Sequence, residues 1–304
     1  MVDESLPQHE YKIPSEGVYS ISFSGGRSSA YMLHRILEAN NGLPSNAVVC
    51  FANTGKEHPL TLDFVHEVGV RWGVKIAWLE YWFNEKARGG VKDPKHCHRV
   101  VNHNSACRGG EPYKELIVRR GNADSGGYLP NKVQRLCTQE LKVNTMARYL
   151  RRDMGWRNHK AFIGIRYDEP RRWKKALITT DCNNLYPMVT DKTTRGAVLR
   201  FWRGQDFDLK TPELYGNCDL CYLKGRRKLI EAIKLNPSYA DWWIEQEDMV
   251  LKNGAYVKGD EKNARFRYEE SYRQLREAAG NEQTLWEGKM AVPADEPIDC
   301  FCGD

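Results

Sequence analysis

No run of about 18 apolar residues occurs in this chain, so the sequence offers no membrane-spanning helix. Residues 1–16 form a polar, acidic tail without the basic and apolar regions of a secretory leader, and the expected location is the cytoplasm. Two common phosphate loops are missing as well. There is no G-x-x-x-x-G-K-[ST] and no G-x-G-x-x-G, which disfavours a P-loop NTPase and a dinucleotide oxidoreductase. Internal repeats and low-complexity tracts are absent. Net charge is only +6, which suits a polyanionic ligand such as a nucleotide without demanding nucleic acid. Cysteine, by contrast, is plentiful. The 9 cysteines are odd in number and sit in an expected cytoplasmic chain, which argues against a disulfide framework and for metal or thiol chemistry.

What is present is a globular composition, 41% apolar and 28% charged over 304 residues, enough for one large domain or a domain with an appendage. Its organising stretch runs from Tyr19 to Leu33: a short apolar strand, then Ser24-Gly25-Gly26-Arg27-Ser28-Ser29, then the opening of a helix. The glycines permit a tight turn, and free amides at a helix N-terminus point toward an incoming anion. Ser24, Ser28 and Ser29 add hydroxyls to the same concavity. An ordinary strand-to-helix turn with small residues would look similar.

Ala47–Ala52 is an apolar run of strand length ending in Asn53-Thr54-Gly55-Lys56-Glu57, followed by a helix and then a third strand, Val74–Leu79. Alternating strands and helices predict right-handed βαβ units and a doubly wound, mostly parallel α/β sheet. Ligands in such sheets bind beyond the carboxyl ends of strands, where the Ser24 turn and the Asn53 loop both fall. Residues 84–136 are rich in glycine and basic residues and read as an inserted basic flap over an anionic site, with a short helix at 113–120. The flap's His96, Cys97, His98, His103 and Cys107 lack the C-x₂-C or H-x₃-H spacing of a closed zinc site. A fourth strand, Ala161–Ile165, runs into Arg166, Arg171 and Arg172, candidate clamps for phosphate or sulfate. Residues 226–290 read as a helical appendage in which Trp242 and Trp243 pack, and 291–304 as a tail containing Cys300 and Cys302.

Cys218-Asp219-Leu220-Cys221 is the one C-x-x-C in the chain. It suits a redox dithiol, half of a zinc site, or part of an iron–sulfur cluster. Cys137 opens an amphipathic helix at the same rim of the sheet, where a positive helix end favours thiolate and metal ligation. It is the best partner for the pair.

The Ser24–Ser29 turn resembles the S-G-G-x-D-S signature of the PP-loop (N-type) ATP pyrophosphatases, with Ser28 where the usual Asp would stand. Asn53-Thr54-Gly55 with Glu57, the Arg135-Leu136-Cys137-Thr138 segment through Lys142, and Gly164-Ile165-Arg166 through Glu169 resemble the phosphoadenosine phosphosulfate (PAPS) reductase-like branch. So does the Cys218–Gly225 run, and the order of the motifs matches over residues 17–225. The Asp-Cys-Phe-Cys tail is similar to a subgroup found in bacteria and their phages. The resemblance implies a Rossmann-like, adenine nucleotide alpha hydrolase-like fold. It further implies that Ser22, Ser24, Gly25, Gly26, Arg27, Ser28, Ser29, Asn53, Thr54, Gly55, Glu57, Gly164, Arg166 and Arg171 bind ATP or a related adenylyl nucleotide with Mg²⁺. Arg166 and Cys302 would take part in the chemistry, although Cys302-Gly303 lacks the flanking Glu and His of reductase tails. Cys137, Cys218, Cys221 and Cys300 would hold a [4Fe–4S] cluster, with zinc as the alternative. Adenylation of a substrate followed by sulfur transfer is the activity implied first. Sulfonucleotide reduction with release of sulfite, or nucleotide binding without catalysis, are the alternatives. The partners implied are a small-molecule or nucleic-acid acceptor and an external sulfur or electron donor, with the tail acting within one chain or across a homodimer.

Overall fold

Alternation along the strands builds the sheet. In β1 (Tyr19–Ser22) and β2 (Ala47–Asn53), Ile21, Val49 and Phe51 turn to one face, whereas Cys50 turns to the other. The first face packs on α1 (Arg27–Asn40) and α2 (Pro59–Arg71) through Met32, Leu33, Ile36, Leu62 and Val65, all fully buried. The opposite face, with Ala77 and Leu79 of β3 (Ile76–Phe83), is covered by Leu150 of the later helix Thr145–Arg152. With helices on both faces, β2 reads as a nearly continuous apolar run. The structure, a computed structural model, describes residues 9–88, 95–120, 127–178, 183–216, 218–253 and 261–281.

Beyond β3 come β4 (His96–Val101), α3 (Glu111–Arg120), a π-helix (Cys137–Asn144), α4 (Thr145–Arg152) and β5 (Lys160–Ile163). Then follow α5 (Pro170–Ile178), β6 (Asn184–Leu185), α6 (Pro187–Thr190) and α7 (Arg195–Arg203). The sheet order is β4-β3-β2-β1-β5-β6. All neighbours are parallel except β4, which runs antiparallel to β3 with Glu80 opposite Arg99. A Rossmann-like α/β architecture is thus observed. The segment expected as a basic flap contributes β4 to the sheet edge and α3, with Tyr113, Leu116 and Ile117, to the interior.

The C-terminal helices α8 (Arg226–Leu235), α9 (Tyr239–Lys252) and α10 (Tyr272–Asn281) form a second core with α3 and the π-helix. Trp243 is fully buried there and packs on Phe266 and Tyr272, as expected for a packing residue. Among the described residues, no helix is long and apolar enough to cross a membrane.

One acid sits inside this second core. Glu247 accepts backbone hydrogen bonds from Phe266 (3.1 Å) and Tyr272 (2.8 Å), and burial pushes its pKa up from 4.5 to about 7. The folded state therefore holds a proton that the unfolded chain has already released across that window. Stability is greatest below about pH 4.5 on this account and falls as pH rises toward about 7, by roughly 3 kcal/mol. Denaturant unfolding at a series of pH values checks this. Glu247→Gln, which does not titrate, is expected to lose this part of the slope whatever its baseline stability.

Candidate functional site

Chain direction changes at β1. The crossover through α1 leads to β2 on one side, whereas β5 lies on the other, so a crevice opens at the carboxyl ends of β1 and β5. Ser22 closes β1 at this edge, paired with Cys50 and Ile163. Gly25 has φ +82°, and a Cβ there would lie 2.8 Å from Thr61 Cγ2, so the turn needs glycine on both counts. Gly26 is the N-cap of α1 and offers no side-chain cap, which leaves the first-turn amides to outside acceptors. Gly164, just past β5, passes so near α1 that a Cβ would stand 3.0 Å from Ser29 Cα.

The serines divide their work. Ser29 Oγ donates to Gly26 O (3.0 Å) and accepts from Ser24 N (3.2 Å), so the 2.9 Å contact with Ser24 Oγ places the Ser24 proton on Ser29. These two hold the turn in shape. Ser28 instead accepts from Arg166 Nη1 at 2.8 Å, and both residues are buried. Arg166 is aimed by Asp168, through a 3.0 Å bond to Nε, and by Glu169 at 3.7 Å. Asp168 also accepts from Arg195 N, and Glu169 from Arg172, so both carboxylates are engaged by cations or backbone. The Arg27 guanidinium turns away to Asp208 (2.7 and 2.9 Å) and Leu209 O, leaving the backbone as Arg27's contribution to the turn. Arg171 is exposed on the first turn of α5.

The second loop is built from inside. Asn53 Nδ2 donates to Glu80 (2.7 Å) and to Cys107 O (2.8 Å), while its Oδ1 accepts from Gly55 N (3.0 Å). Glu80, wholly buried, also receives Arg99 of β4 at 2.7 Å. Thr54 donates from both N and Oγ1 to Glu57 Oε2 at 2.8 Å. Glu57 Oε1 is buried without a hydrogen bond, and Lys142 Nζ of the π-helix stands 3.5 Å from it.

This loop is bolted to the C-x-x-C. Glu57 and Cys218 pair as an isolated antiparallel bridge, and Asp219 N donates to Lys56 O (2.9 Å). Lys56 and Asp219 form a buried ion pair at 2.8 Å, and Asp219 also accepts from Trp243 Nε1 (2.9 Å) and Leu220 N (2.6 Å). Lys224 caps the carbonyls of Cys218 and Asp219, and Arg267 those of Tyr222 and Lys224. Lys56 and Asp219 were not singled out in the sequence. Their only signal was a charge inside each of two motifs.

Cys218 Sγ lies 3.7 Å from Thr54 Oγ1, and Cys137 Sγ lies 3.1 Å from Tyr222 OH. Nearby, the Tyr113 hydroxyl is buried. Burial, then Cys137, Tyr222 and Cys218, hold that phenol well above its ordinary range. Cys221 is buried beside Tyr272. Among the described residues no three His, Cys, Asp or Glu side chains form a group that could hold a metal. Cys300 and Cys302 lie outside the described residues.

The Cys and His residues of the 84–136 segment also diverge. His96 meets Tyr81, Cys97 meets Arg152, His98 meets Asp153, His103 meets Asp63 and Cys107 meets Arg99. Burial and the nearby Glu80 push the Cys107 thiol up to about 12, so it stays protonated.

No family model matches the chain. It is similar to the uncharacterized nin region protein ORF290 of Escherichia phage lambda, with 31% identity over 219 residues, 70% of this chain and 69% of that protein. At that identity and coverage, the chain belongs to the family of the lambda nin region protein ORF290.

Proposed function

We propose that the crevice between β1 and β5 binds the phosphates of ATP or a related adenylyl nucleotide, and that the protein is a PP-loop, PAPS-reductase-like enzyme that adenylates a substrate for sulfur transfer. The observation that carries this reading is the Arg166–Ser28 contact of 2.8 Å, which sets a buried guanidinium at the open N-terminus of α1. Helix amides, a serine hydroxyl and a guanidinium are donors to phosphate oxygens.

In this reading the Gly25–Ser29 amides and Arg166 orient the phosphates, and a substrate oxygen attacks the α-phosphorus as pyrophosphate leaves. Mg²⁺ would arrive with the nucleotide and neutralise developing charge. Asp168 and Glu169 are engaged by arginines or backbone and stand as positioning groups for Arg166 rather than as metal ligands. Cys137, Cys218 and Cys221 are the described residues that would hold a [4Fe–4S] or zinc centre. Among the described residues no group of three His, Cys, Asp or Glu side chains converges, and Cys300 lies outside them. No step is assigned to such a centre.

The test is to titrate the reduced full-length protein with ATP·Mg²⁺ and with adenylyl sulfonucleotides, following heat release and then pyrophosphate, AMP and sulfite. Saturable binding with pyrophosphate formation is expected. Sulfite from a sulfonucleotide would make the protein a reductase, and binding without any product would leave a nucleotide sensor. No binding of either ligand would overturn the reading.

A further inference from the structure

We propose that the partner brought to the crevice is a nucleic acid, held by its phosphate backbone on the face that α5 and α7 present beside β5. Residues 166–178 and 183–210 carry ten Lys or Arg and five Asp or Glu, an excess of five against a net +6 for the whole chain. The charge of the protein is therefore concentrated in the elements that wall the crevice. The acids of this region are already committed. Asp168 binds Arg166 and Arg195 N, Glu169 binds Arg172, Asp191 binds Arg35, Asp206 binds Arg71 and Asp208 binds Arg27. Arg171, Lys174, Lys192 and Arg200 are exposed and have no ion pair among the described residues.

Local contacts bring these four to the rim. α5 opens directly after Glu169, with Arg171 on its first turn and Lys174 one turn further on. Tyr167 N donates to Thr193 O (2.9 Å) and Arg195 N to Asp168 (2.8 Å). Lys192 and the start of α7 thus lie against the segment that carries Arg166. Arg200 reaches back along α7, since a Cβ on Gly196 would stand 3.6 Å from its Nη1. Its guanidinium lies over the first turn of that helix, on the crevice side.

A nucleotide in the crevice leaves these cations unused, because its phosphates meet Arg166 and the amides of α1. A run of cations from two helices, with the neighbouring acids neutralised, matches a repeating phosphodiester better than a compact anion. The segment expected as a basic flap fits less well. Its Lys114 is paired with Glu245, Arg119 with Glu85 and Glu115, and Lys132 with Glu269.

This names the acceptor class for the adenylating site proposed above, and it rests on that reading only for what happens to the strand, because binding is measured without nucleotide. Full-length protein is titrated into a labelled single-stranded DNA, its duplex and an RNA stem-loop, following fluorescence anisotropy between about 50 and 200 mM salt. Saturable binding is expected, with log affinity falling linearly against log salt, and the tightest probe tells DNA from RNA. Lys174→Ala, Lys192→Ala and Arg200→Ala, combined, are expected to reduce that slope by about 2 and to weaken binding at least about tenfold at low salt. Arg151→Ala, Arg157→Ala and Lys160→Ala change the net charge equally, but lie on the segment leading into the amino end of β5, away from the crevice. They are expected to leave the slope unchanged, with melting temperature as the control for folding in both variants. Equal losses in the two triple variants would show diffuse charge and overturn the proposal. Failure to bind any of the three probes, or equal affinity for polyglutamate, would overturn it too. Strand binding in a protein that takes no adenylyl nucleotide would support this face and overturn the crevice reading alone.

Discussion

Lys56→Met is expected to destabilise the chain by about 3–5 kcal/mol, because it strands Asp219 as a buried charge. Their 2.8 Å pair is buried on both sides. Asp219 keeps Trp243 Nε1 and Leu220 N as donors, yet loses its only cationic partner among the described residues. Lys56 also lies 5.0 Å from the centre of the Trp242 ring, so the loss extends into the second core. Removing both charges with Lys56→Met and Asp219→Leu is expected to be less damaging than either single change, since no charge is left unpaired. Urea unfolding of the three variants measures this. A single-variant effect below about 1 kcal/mol would show that the pair does not lock the Asn53 loop to the C-x-x-C.

The second large effect concerns ligand binding. Arg166→Ala is expected to lower adenylyl-nucleotide affinity by roughly 100-fold, equivalent to about 3 kcal/mol. The loss is twofold in origin. A buried donor to phosphate disappears, and Asp168 and Glu169, 3.0 and 3.7 Å from the guanidinium, are left to repel the incoming anion. Arg166→Lys is expected to recover little, because an ammonium cannot meet Ser28 and Asp168 together with the geometry of a planar fork. Arg171→Ala, at an exposed position, is expected to shift affinity by less than about threefold. Calorimetric titration at constant salt separates these cases, with melting temperature as the control for folding. Equal losses for Arg166→Ala and Arg171→Ala would count against the crevice as the phosphate site.

How much of this was legible varies by element. β2, β3 and β5 were readable because each is a largely apolar run bounded by glycine or polar turns, β1 because it leads into the Ser-Gly-Gly turn, and their order predicted a doubly wound sheet. β4 was not. His96-Cys97-His98-Arg99 carries no apolar alternation, and it becomes a strand because β3 offers an edge and because Glu80 and Tyr81 pair with Arg99 and His96. The helix opening at Cys137 was expected, but its π geometry was not. A π-helix is closed by i→i+5 backbone bonds, which no spacing in the sequence announces, and at its end the Thr145 hydroxyl donates to Glu140 O at 2.8 Å. At the site, the Ser24–Ser29 turn was evident from its glycines, and Arg166 from its place after a strand. The Lys56–Asp219 pair was not, because charges so distant along the chain meet only once the C-terminal helices have docked.

The placement of β1 has a consequence for how the protein is made. Its register joins Tyr19 to Ala47 on one side and to Lys160 on the other. During synthesis the first partner follows almost at once, but the second emerges about 140 residues later. At about 5–20 residues per second, the central strand waits roughly 7–28 seconds with one hydrogen-bonding edge open. For that interval the nascent chain presents an apolar, pairing-competent strand to its surroundings, and its yield in the cell depends on what shields it until β5 arrives.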